Sequence, residues 1–443
     1  MKKRFISACL AIFLVFLCSP AIFALNFYEE ELRADSVYML DYSNDISIVE
    51  KNIGKRRSPA SLTKIVTFIV AYENSSNRNE TKFKVTKEIL DMVDAESSGS
   101  KLKEGEEFSI TDLLHCMLIS SSGYAAMTLA YHVGGGDVQK FVNMMNEKIA
   151  SLGCTDTHFE NPDGIYNENQ YSTAADMYKI TKYAMNNSDF LNIVSKSEYN
   201  MFGDERDPVI TTNHMIDRKR GGKYYLPFVR GIKTGYVEDA GRCLISYAVK
   251  DGKTYVLVVM GGPTKDSDGK SLQDNTAMLD SVDLYNWAYN DLRSVNIFEK
   301  NYPLTETGLS FVWGKDRIML FSSKDFNLML PKNASRDDVS FEFETPQNIE
   351  APVKKSEPLG KVHVLFKGAE VAAVDLISTK DFNKNYAIVI FEFIKAVITS
   401  KIFIFLFILL MAFAIFYVLC IIRYNIRRKN KNKVVDISRA KKK

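Results

Sequence analysis

Residues that bind metals or build disulfide frameworks are scarce in this chain. Its 443 residues include six Cys and five His, with no C-x-x-C and no paired histidine ligand spacing. Three of the cysteines lie in apolar segments at the two ends. The other three, Cys116, Cys154 and Cys243, are an odd number in apolar contexts, which predicts buried thiols with at most one bridge. A metal site and a disulfide framework are therefore not expected.

A large excess of charge of one sign is also missing. The chain has 57 Lys and Arg against 54 Asp and Glu, and 46% of its residues are hydrophobic. Basic residues gather at both ends, so the body between Leu25 and Ser400 is acidic. This composition excludes a disordered chain and argues against nucleic acid as a partner.

The N-terminus has the pattern of a secretory signal. Basic residues at 2–4 precede an apolar stretch over 5–17 and small residues at Ala21 and Ala24. We expect cleavage near Ala24, which makes residues 1–24 a signal peptide. An uncleaved N-terminal anchor is the alternative.

The C-terminal region contains a predicted transmembrane helix. Residues 402–422 are an uncharged run that would span about 31 Å as a helix, the thickness of the hydrocarbon core of a bilayer. The tail 423–443 is strongly basic, and the positive-inside rule places such a tail in the cytoplasm. We therefore expect a single-pass protein of the cell (inner or cytoplasmic) membrane, with its acidic body outside the cytoplasm.

The segments that flank this helix each allow two interpretations. The juxtamembrane segment 381–401 contains an apolar stretch with Glu392 and Lys395. It fits either an amphipathic helix in the membrane interface or an outward continuation of the transmembrane helix. The basic tail fits either a topology determinant attracted to anionic lipid or a site for a cytoplasmic partner.

The body shows alternating helix and strand patterns. The N-terminal half is expected to contain a hairpin (36–49) and then a buried helix after Pro59, with Ser58 as its N-cap. Helical spacing follows over 112–132 and is broken by a loop. Three strands (229–236, 242–249 and 254–260) and a helix (271–292) are expected after it. The last two strands are joined by Asp251-Gly252, a strong hairpin signal. Strands at both ends with helices between them indicate one sheet covered by helices, in a main domain over 25–294. Short strands then predict a small all-β domain over 295–380, a spacer or protein-contact module.

Ser61-Leu62-Thr63-Lys64 places a hydroxyl and an amine on one face of the predicted buried helix. Burial favours the neutral form of a lysine amine, which can take the proton of a serine and make that serine nucleophilic. The S-x-x-K spacing recurs elsewhere in the chain, so the spacing alone is not specific. Ser61 is distinguished by its place at the start of a buried helix.

Two further elements could complete a site with Ser61. Lys233-Thr234-Gly235 is the only K-[ST]-G in the chain and lies in a predicted strand. Lys233 and Thr234 could hold a carboxylate there, and Gly235 could let a substrate backbone approach closely. Ser121, in the break between helical stretches, could supply a second hydroxyl for proton transfer or could cap the next helix.

In this order the three elements resemble the S-x-x-K, S-x-N and K-T-G motifs of the serine penicillin-recognising enzymes. Further segments resemble the low-molecular-mass penicillin-binding proteins of the D-alanyl-D-alanine carboxypeptidase family. They are Ser36-Val-Tyr-Met-Leu-Asp, Asn161-Pro-Asp-Gly, Tyr171-Ser-Thr-Ala-Ala-Asp-Met and Gly231-Ile-Lys-Thr-Gly-Tyr. The resemblance covers about residues 35–292, and a β region followed by a membrane-associated C-terminus is also the layout of that family.

The resemblance implies an α/β (α+β) main domain of the β-lactamase/transpeptidase-like type, with helices around a five-stranded antiparallel sheet. The implied reaction removes the terminal D-Ala from peptidoglycan pentapeptides through an acyl-enzyme. β-Lactam antibiotics would be covalent inhibitors, and no metal or other cofactor is needed.

The resemblance also assigns roles to individual residues. Ser61 would be the acyl-ester nucleophile, Lys64 its base and Ser121 the proton relay. Lys233 and Thr234 would bind the terminal carboxylate. The backbone N–H groups of Ser61 and Tyr236 would form the oxyanion hole.

Gly123 departs from the family pattern, because it stands where S-x-N has its asparagine. Either a neighbour such as Ser122 replaces the missing amide, or the loop shifts so that Ser122 becomes the second serine, or turnover is reduced. If the missing amide limits acylation, Gly123→Asn should raise the acylation rate.

Gly123 also motivates an alternative function, a catalytically impaired wall-binding or β-lactam-sensing protein. A β-lactamase fits less well, since no E-x-x-L-N lies between Ser121 and Lys233 to position a deacylating water.

Overall fold

The computed structural model of the protein describes residue 28 and residues 31–202 and 206–440, with side chains up to residue 428. The predicted signal peptide, residues 1–24, lies outside this part. The chain divides into two compact units. The first holds the residues up to 299 with 325–342 and 363–374, and the second holds 300–324, 343–362 and the residues from 375 onward.

The strands fall into one central sheet, several two-stranded pairs and a C-terminal sheet. They are β1 (Ser36–Asp41), β2 (Ile46–Lys51), β3 (Lys82–Lys84), β4 (Glu107–Ser109), β5 (Glu198–Tyr199), β6 (Val209–Ile210), β7 (Val229–Val237), β8 (Gly241–Lys250), β9 (Lys253–Gly262), β10 (Leu292–Phe298), β11 (Pro303–Val312), β12 (Lys315–Ser322), β13 (Phe326–Pro331), β14 (Val339–Glu344), β15 (Asn348–Glu350), β16 (Pro358–Phe366) and β17 (Ala369–Ile377). The central sheet is antiparallel, with the order β2-β1-β9-β8-β7. The implied five-stranded antiparallel sheet is therefore confirmed.

Most helices pack around that sheet. They are α1 (Lys64–Glu73), α2 (Lys87–Met92), α3 (Ile110–Ile119), α4 (Gly123–Val133), α5 (Val138–Ser151), α6 (Ala174–Met185), α7 (Ser188–Val194), α8 (Thr276–Asp291), α9 (Tyr386–Thr399) and α10 (Lys401–Ala440). Most begin at a capping side chain, as Ser109 does for α3 and Asn275 for α8. The predicted cap of α1 is wrong. A 3-10 turn, Ala60–Thr63, precedes α1, and the Ser58 hydroxyl is buried without a hydrogen-bond partner.

The central strands are apolar on both faces because helices cover both sides of the sheet. Along β9, Val256, Val258 and Met260 join the core formed with α1 and its neighbours. The intervening residues of β9, such as Leu257 and Val259, join the core formed with α8. This two-residue period explains the continuous hydrophobic run in a strand buried on both faces. The turn Asp251-Gly252, with both residues at positive φ, joins β8 to β9 as predicted.

The C-terminal region is all-β up to residue 377, as predicted. β10 pairs with β13, and the other six strands form a sheet in the order β14-β16-β17-β12-β11-β15. Two helices follow, and they are separate because Ser400 is in an extended conformation, with ψ 140°. Residues Lys401–Arg428 are long and apolar enough to cross a membrane.

The three cysteines of the body are free and buried. The prediction of buried thiols at Cys116, Cys154 and Cys243 is thus confirmed. None of the described residues form a group of three or more His, Cys, Asp or Glu placed to bind a metal ion.

One buried carboxylate ties the segment before β1 to α8, and its removal provides a stability test. Asp280 is fully buried and accepts hydrogen bonds from the Ala34 N–H at 2.7 Å and the Arg33 guanidinium at 2.9 Å. Asp280→Ala should lower the free energy of unfolding by about 2 kcal/mol, because it leaves a buried N–H unpaired. Chemical denaturation of the full chain measures the change.

Asp283→Ala is the matched control for this variant. Asp283 contacts the same Arg33 but is much more exposed. Its removal should change the free energy of unfolding by no more than about 0.5 kcal/mol. Equal losses in the two variants would contradict the role given to burial.

Candidate active site

The predicted nucleophile and base lie at the junction between the 3-10 turn and α1. Ser61 belongs to the turn, Lys64 is the first residue of α1, and the Lys64 Nζ is 3.1 Å from the Ser61 Oγ. The Lys64 Nζ also donates a hydrogen bond to the backbone carbonyl of Asp163. The amine is thus held between one carbonyl and the hydroxyl on which it could act.

Burial changes the acidity of this amine. Lys64 is only 2% exposed, and desolvation lowers its pKa to about 8, although the charge of Asp163 opposes the shift. A lysine in water has a pKa near 10.4, so it is almost fully charged at neutral pH. In this site a useful fraction of the amine is neutral and can accept a proton.

A second serine and lysine face the same site. The Lys233 Nζ donates hydrogen bonds to the Ser121 Oγ and to the Thr234 carbonyl, both at 2.9 Å. Burial, with the positive charge of Lys64 as a smaller cause, lowers the pKa of Lys233 well below its ordinary value. Ser121 has a φ of 66°, a left-handed conformation that is strained for a residue other than glycine. The break between α3 and α4 therefore points the Ser121 hydroxyl at Lys233.

Ser122 has a different position from Ser121. Its hydroxyl donates to the Ser100 carbonyl at 2.6 Å and accepts the N–H of Ala125 at 3.2 Å, so it caps α4. The predicted alternative in which Ser121 caps this helix is therefore wrong. The alternatives in which Ser122 becomes the second serine or replaces the missing amide also lack support, because its hydroxyl is engaged elsewhere.

The space beside Gly123 is filled by Ser97. A Cβ atom on residue 123 would lie 2.6 Å from the Ser97 Oγ and 2.8 Å from the Ser97 Cβ. The Ser97 hydroxyl donates a hydrogen bond of 2.9 Å to the buried carboxylate of Asp163, whose backbone carbonyl contacts Lys64. A hydroxyl from another loop thus occupies the position that a side chain at 123 would need.

The serines open onto a cavity of about 350 Å³. Its lining residues are Ser61, Ser98, Ser121, Thr212, His214, Tyr224, Thr234, Gly235, Tyr236, Arg242, Gln273, Asn275 and Met278. Lys64 and Lys233 lie behind the two serines, in hydrogen-bond contact with them. The structure therefore brings together all seven residues that the sequence predicted.

Gly235 has a packing role as well as a place in the cavity wall. A Cβ atom there would lie 3.2 Å from the Ala60 Cβ and from the Pro59 carbonyl oxygen. The absence of a side chain lets β7, at the edge of the sheet, pack closely against the turn that carries Ser61. Gly235 thus fixes the spacing between two of the motifs.

Several residues of the site carried no recognisable signal in the sequence. Thr212 lies within hydrogen-bond distance of the Thr234 hydroxyl, and the Arg242 guanidinium is 5.4 Å from the centre of the Tyr236 ring. Asp163 belongs to the Asn161-Pro-Asp-Gly segment, which supported the family resemblance but suggested no contact with Lys64. These residues meet the site through the fold and not through a local motif.

The site combines a serine beside a buried lysine, a second serine–lysine pair and an edge strand of an antiparallel sheet. This combination defines a serine-type enzyme of the penicillin-recognising class. The family model described as D-alanyl-D-alanine carboxypeptidase matches residues 24–264. The model described as the C-terminal domain of penicillin-binding protein 5 matches residues 293–384. The chain belongs to the D-alanyl-D-alanine carboxypeptidase family, and it is a serine peptidase of the hydrolase class.

Individual relatives agree with this assignment over most of their length. The chain is 28% identical to the D-alanyl-D-alanine carboxypeptidase DacF of Bacillus subtilis, over 88% of this chain and 97% of that protein. It is 26% identical to DacA of Escherichia coli K12, over 82% of this chain and 88% of that protein. The crystal structure of penicillin-binding protein 5 from Haemophilus influenzae has the same fold, with a TM-score of 0.65 and 23% identity over 81% of this chain and 100% of that one.

The contact between Gly123 and Ser97 reverses the effect expected for Gly123→Asn. The new Cβ would overlap both the Oγ and the Cβ of Ser97, so rotation of the Ser97 hydroxyl cannot relieve the clash. We expect the variant to acylate at least about tenfold more slowly, because the displaced loop disturbs the Asp163 turn that holds Lys64. The second-order rate constant for acylation by a fluorescent penicillin measures the effect.

The double variant Gly123→Asn/Ser97→Gly is the matched control. It removes the Ser97 Cβ and hydroxyl that the asparagine would overlap, so it should acylate faster than Gly123→Asn alone. Faster acylation by Gly123→Asn alone than by the parent chain would instead show that the missing amide is the limit.

Proposed function

We propose that this chain removes the terminal D-Ala from peptidoglycan pentapeptides through an acyl-enzyme formed on Ser61. The observation that carries the proposal is the 3.1 Å contact between the Ser61 Oγ and a buried amine whose pKa is about 8. Family membership supplies the reaction class. The contacts around this pair support the roles of the individual residues.

In the acylation step the Ser61 Oγ attacks the carbonyl carbon of the last peptide bond, and the neutral Lys64 amine takes the hydroxyl proton. The backbone N–H groups of Ser61 and Tyr236 stabilise the oxyanion. Removal of one such donor typically costs on the order of 3 kcal/mol of transition-state stabilisation. The C–N bond then breaks and leaves an ester on Ser61.

The departing D-Ala nitrogen needs a proton, and the position of Ser121 supports it as the group that relays one. Its hydroxyl lines the cavity and is 2.9 Å from the Lys233 Nζ. Water then hydrolyses the ester and frees Ser61. No metal is required for either step.

The free carboxylate of the substrate would bind at the end of the cavity near β7. Lys233 and Thr234 are the predicted ligands, and Thr234 lines the cavity. Burial disfavours the charged form of Lys233, and the Arg242 guanidinium also lines the cavity. We propose Arg242 as a third group that attracts the carboxylate.

β-Lactam antibiotics would acylate Ser61 in the same way, because they present a strained amide and a carboxylate.

The alternative of an impaired wall-binding or sensing protein was motivated by Gly123. The Ser97 hydroxyl that fills the space at Gly123, and that bonds to Asp163, supports the active enzyme over that alternative.

We further propose that the protein crosses the cell membrane once, through α10, with the catalytic unit outside the cytoplasm. The apolar run 402–422 within α10 and the basic residues that follow this run from Arg423 onward support this orientation. An enzyme tethered in this way would act on the cell wall next to the membrane.

The nucleophile is tested by Ser61→Ala. The variant should lose penicillin labelling and D-Ala release from a pentapeptide, because it removes the cavity hydroxyl that contacts the Lys64 amine. Gel fluorescence and an amino-acid oxidase assay measure the two activities.

Ser58→Ala is the matched control for Ser61→Ala. It removes a nearby hydroxyl that is buried without a hydrogen-bond partner, so both activities should persist. Persistent labelling of Ser61→Ala would eliminate Ser61 as the nucleophile.

The pKa of Lys64 predicts the pH dependence of acylation. With a pKa of about 8, the neutral form is roughly one tenth of the total at pH 7 and predominates only above pH 8. The acylation rate constant should therefore rise with pH, about tenfold per unit below pH 7, and level off near pH 9. Stopped-flow measurements with a penicillin that is stable in this range test the profile.

Lys64→Arg provides the comparison, because arginine keeps its charge throughout this range and cannot act as the base. We expect it to be inactive at every pH. A profile that is flat between pH 6 and pH 8 in the parent chain would contradict Lys64 as the general base.

A further inference from the structure

An exposed tryptophan lies at the tip of the hairpin between β11 and β12. Trp313 is 77% exposed, and the adjacent Gly314 completes the turn. The tip, residues 311–315, also contains the half-buried Phe311 and the exposed Lys315. The tryptophan ring is large and mostly apolar with one polar N–H, and such rings are enriched in the interface belts of membranes.

The hairpin tip is tied to the start of α9. The Asn385 N–H donates a hydrogen bond of 2.7 Å to the Phe311 carbonyl, and the Asn385 side chain caps α9. The Lys384 Nζ is 4.9 Å from the centre of the Phe311 ring. Tyr386, the first residue of α9, is 72% exposed. The tip and the N-terminal end of α9 therefore form one aromatic and basic surface.

The composition of α9 indicates how it meets a membrane. Its only charged residues are Glu392 and Lys395, which form an ion pair on one face, and apolar side chains such as Phe391 and Phe393 are exposed. The helix is about 21 Å long. If α9 stood upright outside the bilayer, its apolar side chains would remain in water, which is unfavourable. If α9 lies in the membrane interface, these side chains are buried. The extended conformation of Ser400 allows the chain to turn from α9 into α10.

We infer that the hairpin tip inserts Trp313 into the outer headgroup region of the membrane, beside an α9 that lies in the plane of the interface. The occupant of this surface is the anionic phospholipid bilayer that α10 crosses. Tryptophan and tyrosine favour this region, and Lys315 and Lys384 would face lipid phosphates. The inference rests on the membrane attachment proposed above.

Tryptophan fluorescence tests the insertion directly, because the chain has only two tryptophans. Trp287→Phe leaves Trp313 as the single reporter, and phenylalanine can keep the aromatic contact with Tyr28. The full chain is reconstituted in phosphatidylethanolamine and phosphatidylglycerol vesicles, with or without bromine near the top of the acyl chains. Trp313 should lose roughly half or more of its emission to the brominated lipid, because bromine quenches only nearby rings at that depth.

Trp313→Phe is the comparison, because it leaves the half-buried Trp287 as the single reporter. For Trp313 emission, the reference sample is the Trp287→Phe variant in non-ionic detergent, unfolded by urea at a concentration above the unfolding midpoint. Compared with that sample, Trp313 in vesicles should emit at a shorter wavelength and should be less quenched by aqueous acrylamide. Trp313 emission that brominated lipid leaves unchanged and acrylamide quenches freely would overturn the insertion.

Vesicle flotation separates this result from the membrane attachment itself. Protein that floats with vesicles but shows no lipid quenching of Trp313 contradicts the insertion alone. Protein that does not float contradicts the insertion and the transmembrane assignment together. Neither result affects the proposed carboxypeptidase activity, which D-Ala release measures separately.

Discussion

The site depends on the burial of a single amine. Water would keep Lys64 charged and useless as a base, whereas the packed start of α1 removes that water and lowers its pKa to about 8. The same packing holds the amine between the Ser61 hydroxyl and the Asp163 carbonyl. The long apolar helix is therefore a chemical requirement as well as a structural one, because a more exposed α1 would lose the neutral amine.

Close backbone approach gives the site its second constraint. β7 reaches the turn around Ser61 because Gly235 has no side chain, and the Ser97 loop reaches the start of α4 because Gly123 has none. A residue that departs from the family motif is thus accommodated by a contact with a distant loop. The positive charge of Lys64 also disfavours the charged form of Lys233, and this repulsion reinforces the effect of burial on the pKa of Lys233.

The sequence was sufficient where chemistry is local. The S-x-x-K spacing placed Ser61 and Lys64 on one face of a predicted helix, and Asp251-Gly252 marked its hairpin. Strands at both ends of the domain, with helices between them, indicated one sheet covered by helices. The resemblance to a known family joined Ser121 and the K-T-G strand to Ser61, which spacing alone could not do.

Sequence patterns could not supply contacts made only by the folded chain. Nothing near Ser97 or Arg242 indicates that either meets the site, and the expected benefit of Gly123→Asn ignored the neighbour that fills the space. The N-cap predicted at Ser58 failed for a different reason, because a 3-10 turn separates Ser58 from α1. At Gly123 a tertiary contact decided the outcome, whereas at Ser58 the local backbone conformation did.

Peptide mapping of the penicillin adduct tests the central claim most directly. Trypsin should release residues 58–64, which contain Ser58 and Ser61, as one peptide. Fragmentation by mass spectrometry then places the added mass on one serine. The buried-amine account predicts that the acyl group is on Ser61, the only serine of that peptide in contact with Lys64. An acyl group on Ser58, on Ser121 or on any other residue would contradict it.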